Sequence, residues 1–157
     1  MKKSVKIVEV GLRDGLQNET TQLTVKQRLA LLEKLIQAGV KNFELGAFVS
    51  PDWVPQMSVT AELAKSYQQS SFFSTKFSAG VLVPNEKGMQ LAIDAKIKEV
   101  AIFASCSESF SKKNINCSID ESFERFEAVM KLAKKHKIKV RGYLSTCFGC
   151  PFGGRNF

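Results

Sequence analysis

The chain has 157 residues, 44% of them hydrophobic and 24% charged, a balance that supports one domain with a real core and argues against disorder. No apolar run approaches the roughly 18 residues a membrane helix needs. The start "MKKSVKIVEV" lacks the features of a signal or transit peptide and reads as a cytoplasmic start. The net charge of +8 would suit nucleic acid, a membrane surface or a phosphate-bearing small molecule, but the lysines fall on helix-like stretches without interleaved aromatics, so the small molecule is preferred, with no nucleic acid and no membrane.

In chain order, "VKIVEVG" (5–11) reads as a first strand. It empties into "LRDGLQNE", where Arg13 and Asp14 stand side by side. Residues 24–40 carry an apolar helical stripe, with Thr24 as N-cap and Gly39 as the stop. A second strand is predicted over 42–48, a helix over 56–69, a third strand over 77–84 and a helix over 86–96. A fourth strand follows over 99–106, a helix over 119–137 and a fifth strand over 139–148.

This βα alternation builds a parallel sheet with right-handed crossovers, either doubly wound or a (β/α)₈ barrel. Polar groups recur at the strand ends: Arg13 and Asp14, then Glu44, Asn85, Ser105 and Ser107, Ser145 and Thr146. In a barrel that rim is where catalysis sits. Neither GxGxxG nor a Walker A pattern is present, which weakens the nucleotide-binding open sheets.

Cys106, Cys117, Cys147 and Cys150 are the cysteines, and "CFGC" (147–150) has CxxC spacing. With no second CxxC and His136 the only histidine, a structural zinc does not follow. Reduced, unbridged thiols are expected, and His136 belongs on the outer face of its helix.

Asp14 supplies hard oxygens of the kind Mg²⁺ or Mn²⁺ takes, and Arg13 is a fixed cation able to hold an oxyanion or enolate. Glu44 faces the same mouth. Spacing alone favours a structural Arg–Asp pair capping the turn; the alternative is a site that develops negative charge beside a carbonyl.

The blocks "VKIVEVGLRDGLQNE", "FVSPDWVPQM", "VLVPNEKG" and "KKNINCSIDESFERF" together resemble 3-hydroxy-3-methylglutaryl-CoA lyase, over residues 5–153. Related acyl-CoA synthases resemble "LRDG" but not "LQNE". The resemblance implies a TIM barrel and a metal-dependent cleavage of 3-hydroxy-3-methylglutaryl-CoA to acetyl-CoA and acetoacetate, as in leucine breakdown. It implies Asp14 as ligand to a divalent cation (Mg²⁺ or Mn²⁺), with Arg13 and Glu44 catalytic. Arg13, Gln17, Ser107 and Tyr143 are the implied contacts to an acyl-CoA substrate. Ala47 stands where the family often has Ser. The family's His-x-His, a further Asn and a glycine-rich Cys loop belong to a second half that is not in this sequence.

About five βα units are legible in residues 1–157, against the ~250 residues of a full barrel. The expectation is therefore a single, truncated partial-barrel domain, with the C-terminal strands absent and the metal site incomplete. The family implies homodimers; open strand edges imply self-association. The chain alone is expected not to turn over. A non-catalytic binding fragment and a related acyl-CoA synthase or aldolase are the other readings.

Overall fold

The structure is a computed structural model and describes residues 5–154. The opening "MKKS" and the closing "RNF", on which the reading of the start and of the "GGRNF" end partly rested, lie outside the described residues.

Four strands form one sheet: β1 (Asn42–Ala47), β2 (Ser78–Leu82), β3 (Glu99–Ser105) and β4 (Lys139–Ser145). They lie in the order β1-β2-β3-β4, every neighbouring pair parallel. The helices are α1 (Val25–Gln37), α2 (Thr60–Gln68), α3 (Glu86–Asp94), α4 (Glu108–Ile115) and α5 (Ile119–His136). The α/β class and parallel sheet are those the alternation predicts.

Local chemistry explains the helix starts. Thr24 and Ser118 each close a capping box, with Gln27 and Glu121 returning the hydrogen bond. Asn85, read as a rim residue, is instead the N-cap of α3, accepting from the Gly88 N–H at 3.0 Å. α5 ends at Lys137 in the left-handed region, and His136 is exposed in its last turn.

Two elements differ from expectation. The predicted first strand is reduced to one parallel bridge, Glu9 to Phe43, with Glu9 N donating to Asn42 O and Glu44 N to Glu9 O. Beyond Glu9 the chain leaves the sheet at once, because the Glu9 carboxylate folds back to accept from the Gly11 N–H at 2.6 Å. The second difference is α4, which is not expected; eight residues give too short a stripe to read, although Ser107 caps it and Lys112 and Lys113 sit in its last turn.

The core lies between the sheet's outer face and the helices. Phe43, Leu45, Val81, Val83 and Val100 pack there against Leu32, Leu63, Met89 and Val129. Phe43 meets Tyr67 edge to face, centroids 5.7 Å apart. The inner face is different. It carries a small apolar patch of Ala47, Met57, Leu82 and Ala101, and beside it Glu44, Glu99 and Arg141, joined by ion pairs. A parallel strand reads as apolar on both faces when both are covered; here alternation on β3 and β4 sends charge inward.

Candidate active site

The segment after Val10 forms a single π-helical turn, Gly11–Gly15. The Arg13 and Asp14 N–H groups both donate to Val10 O, at 3.0 and 2.7 Å. Such turns often occur at functional sites because they re-aim consecutive side chains. Here Arg13 turns in and is buried, while Asp14 turns out, its side chain 58% exposed. Arg28 of α1 holds the turn from behind. It is 1% exposed and donates to the carbonyls of Leu12 (3.0 Å), Leu23 (3.2 Å) and Gln56 (2.5 Å). Burial pushes its guanidinium below the usual arginine value.

Glu44 lies at the centre, fully buried on β1. A register shift between Glu44 and Gly46 sets its aim. Gly46 is required there, because a Cβ would collide with the Thr60 side chain, whose hydroxyl donates to Met57 O and Ala47 O. The two Glu44 oxygens are saturated: Oε2 accepts from Arg13 Nε at 2.7 Å, and Oε1 accepts from Arg141 Nη2 at 2.6 Å and Tyr143 OH at 2.9 Å. Arg13 Nη1 also reaches Asp14 Oδ1 at 2.6 Å. The Tyr143 ring lies against both guanidinium groups, 5.6 Å from Arg13 and 4.9 Å from Arg141.

The electrostatics follow from these contacts. Burial alone would lower the Arg13 pKa, but Glu44, with Asp14, outweighs it and holds the guanidinium above its usual value. Burial, and next the Glu44 carboxylate, push the Tyr143 phenol up, so it remains a donor. Below this layer, Arg141 Nε lies 3.6 Å from Glu99, which also accepts from Ser78 Oγ at 2.6 Å and pairs with Lys6 at 3.3 Å. The result is a lattice of alternating charge that reaches solvent at the rim through Arg13 and Asp14 and at the opposite end through Glu99 and Lys6.

The structure thus brings Arg13, Asp14, Glu44 and Tyr143 together. Gln17 is half-buried one turn beyond Asp14 and makes no side-chain hydrogen bond to the described residues. Ser107 joins a separate polar group: it caps α4, and its hydroxyl donates to Cys150 Sγ at 2.9 Å. Sequence reasoning missed Arg141. Its strand alternates Arg141, Tyr143 and Ser145 on one side, and that inward period of two was the available signal. A cavity of about 680 Å³ is lined by Lys6, Lys98 and Lys139 at the opposite ends of the strands, away from Arg13 and Asp14.

A divalent cation needs several oxygen donors converging on one point. Among the described residues no three His, Cys, Asp or Glu side chains group to hold a metal ion. Asp14 offers one carboxylate, already paired with Arg13. The residues present do not by themselves fit a Mg²⁺ or Mn²⁺ ion, which asks for a fixed array of oxygens.

Comparison with known proteins identifies the family and the fold. The HMGL-like family model matches residues 4–153. Among the most similar relatives are a 3-hydroxy-3-isohexenylglutaryl-CoA/hydroxy-methylglutaryl-CoA lyase of Pseudomonas aeruginosa, 47% identical over 97% of this chain and 49% of that one. Another is the mitochondrial hydroxymethylglutaryl-CoA lyase of Macaca fascicularis, 48% identical over 98% of this chain and 46% of that one. The crystal structure of hydroxymethylglutaryl-CoA lyase from Pseudomonas aeruginosa superposes with a TM-score of 0.91 at 44% identity, covering 99% of this chain and 50% of that one. The chain spans about half the length of the curated relatives it matches. The fold is that of the N-terminal half of a TIM-barrel lyase, and the chain belongs to the HMGL-like family as a homologue of HMG-CoA lyase.

Proposed function

We propose that this chain, a member of that family, carries one half of the active site of a carbon–carbon lyase that cleaves 3-hydroxy-3-methylglutaryl-CoA to acetyl-CoA and acetoacetate. One observation supports this above the rest: Glu44 holds Arg13 by one oxygen and Arg141 and Tyr143 by the other. An arginine fixed in this way faces the rim with its charge guaranteed. In the cleavage, the tertiary hydroxyl loses its proton, the carbon–carbon bond breaks, and the acetyl-CoA carbon leaves as an enolate. Negative charge grows on the thioester oxygen. A preorganised guanidinium beside that oxygen stabilises the transition state more than the substrate. Arg13 fills that role, and Glu44 positions it. Tyr143 keeps the second Glu44 oxygen satisfied and walls the mouth. Gln17, by its place on the same turn, contacts the acyl group; Ser107 lies further along the rim.

Asp14 contributes one oxygen toward a divalent cation, and the remaining ligands are not among these residues. The chain by itself is proposed not to turn over. The domain is read as residues 1–157 of a barrel, with the remaining βα units supplied by other sequence. Four unbridged thiols fit a reducing compartment such as the cytoplasm. The second reading is a module that binds CoA-type ligands without cleaving them, favoured by the single carboxylate at the mouth.

A chimera tests the proposal. Residues 5–153 are joined to the remaining half of the Pseudomonas aeruginosa relative and assayed for acetoacetate release with Mg²⁺ or Mn²⁺. Metal-dependent cleavage is expected in the chimera and not in the chain alone. A folded chimera that binds coenzyme A and releases no acetoacetate would leave the binding module as the reading.

A further inference from the structure

Two thiols outside the Arg13 network face one another. Cys106 Sγ lies 3.7 Å from Cys147 Sγ. Cys106 directly follows β3 and Cys147 follows β4 after a single residue, Thr146. Backbone geometry holds them in register. Ser105 and Ser145 are paired across the two strands, and Cys106 N donates to Ser145 O at 3.0 Å. Thr146 then adopts the left-handed region, φ 61°, and turns the chain so that Cys147 comes back beside Cys106. The Cys147 thiol also lies 3.1 Å from Leu144 O, which fixes its direction.

The pair is accessible, unlike the other two thiols. Cys106 is exposed and Cys147 half-buried, whereas Cys117 and Cys150 are buried. A disulfide needs sulfurs about 2.0 Å apart with a near-perpendicular torsion. The 3.7 Å gap sits directly beyond the registered Ser105–Ser145 pair, where two neighbouring strand ends hold both thiols on the same rim. Cys147 also has CxxC spacing with Cys150. In the structure Cys150 is turned away: its sulfur accepts from Ser107 Oγ at 2.9 Å and from the Phe152 N–H at 3.4 Å.

We propose that Cys106 and Cys147 form a redox-active dithiol at the C-terminal rim of the sheet, which low-molecular-weight disulfides oxidise to an intrachain bond. One thiolate of the pair attacks a sulfur of the small disulfide; a new S–S bond forms and one small thiol leaves. The second protein thiolate then attacks the protein sulfur of that mixed disulfide and expels the other small thiol. The protein loses two electrons and two protons, and the small disulfide gains both. Closure ties the β3–α4 connection to the segment after β4. The proposal does not depend on the lyase reading.

The test treats the purified chain with glutathione disulfide, blocks remaining thiols with iodoacetamide and maps the peptides by mass spectrometry. The expected product is a Cys106–Cys147 cross-link, two hydrogens lighter than the reduced chain and reopened by dithiothreitol. Cys147→Ser should stop at a stable glutathione adduct on Cys106, and Cys150→Ser should still close the Cys106–Cys147 bond. A Cys147–Cys150 link in the unsubstituted chain, or a persistent Cys106 adduct with no cross-link, would overturn the proposal.

Discussion

Arg141 of β4 reaches Glu44 of β1 across the inner face of the sheet, Nη2 to Oε1, at 2.6 Å. These strands are not neighbours, because β2 and β3 lie between them. Each step across a sheet adds about 4.8 Å, so a flat sheet would separate β1 and β4 by about 14 Å. Two long side chains bridge that gap on the inner face of the half-barrel and tie its first and fourth strands together.

The first prediction follows from that coupling. Glu44 is fully buried and neutralises two guanidinium groups. Removing one member of a buried pair leaves uncompensated charge, at a cost of about 3–5 kcal/mol. Glu44→Ala should lose that much stability in urea unfolding. Arg141→Met should lose less, since Glu44 keeps Arg13 and Tyr143. Equal losses from the two variants would show that Arg141, not Glu44, is the hub.

Arg13→Lys separates charge from geometry. Lysine retains the charge but donates from one nitrogen, and loses the planar fork by which Arg13 meets Glu44 Oε2 through Nε and Asp14 Oδ1 through Nη1. In the chimera, kcat should fall by about 10²–10³-fold, the scale of losing one oxyanion donor, with KM little changed. A raised KM with intact kcat would reassign Arg13 to substrate binding.

Acid should attack the lower layer through Glu99. Burial by itself raises its pKa, but the Ser78 hydroxyl, Lys6 and Arg141 outweigh it and leave the group below its ordinary 4.5. The folded chain thus releases this proton more readily than the unfolded chain. The stabilisation is complete above the ordinary value and is lost as pH falls through the lowered folded value. Glu99→Gln should flatten the fall of the urea midpoint below about pH 4.5. An unchanged acid limb in that variant would place the titration elsewhere.

Much of this is legible in the sequence, for identifiable reasons. α1 and α5 announce themselves through Thr24 and Ser118 capping boxes ahead of long apolar stripes. Arg13, Asp14 and Glu44 could be placed at one mouth because strand ends in a parallel sheet share a rim. Arg141 could not. Its partner lies 97 residues away, with two strands of the sheet between them. Ser107 stands at a strand end, as a binding residue would, but starts a helix too short to read. The first predicted strand has the right composition, yet its pairing rests on Glu9 alone among the described residues.

The last prediction concerns association. The inner face carries Glu44, Glu99 and Arg141 already paired. Exposed apolar side chains gather along β4 and its flank. Leu144 is 59% exposed, Phe148 87%, and Phe123 and Met130 of α5 are 54% and 47%. Leu144, Phe123 and Met130 line a groove of about 670 Å³. Among the described residues β4 pairs with β3 alone, so its other edge presents unmatched backbone groups. A free strand edge beside an apolar groove recruits further chains. The net charge of +8 opposes that contact at low salt, and salt screens the repulsion within a Debye length of about 8 Å at 0.15 M. The chain should therefore show a light-scattering mass that rises with concentration and rises further with added salt. Leu144→Lys, which puts charge on the groove and leaves the buried site untouched, should restore the monomer. A constant monomer mass at every concentration and salt level would mean that β4 is a self-sufficient edge, and the half-barrel would then stand as a closed unit.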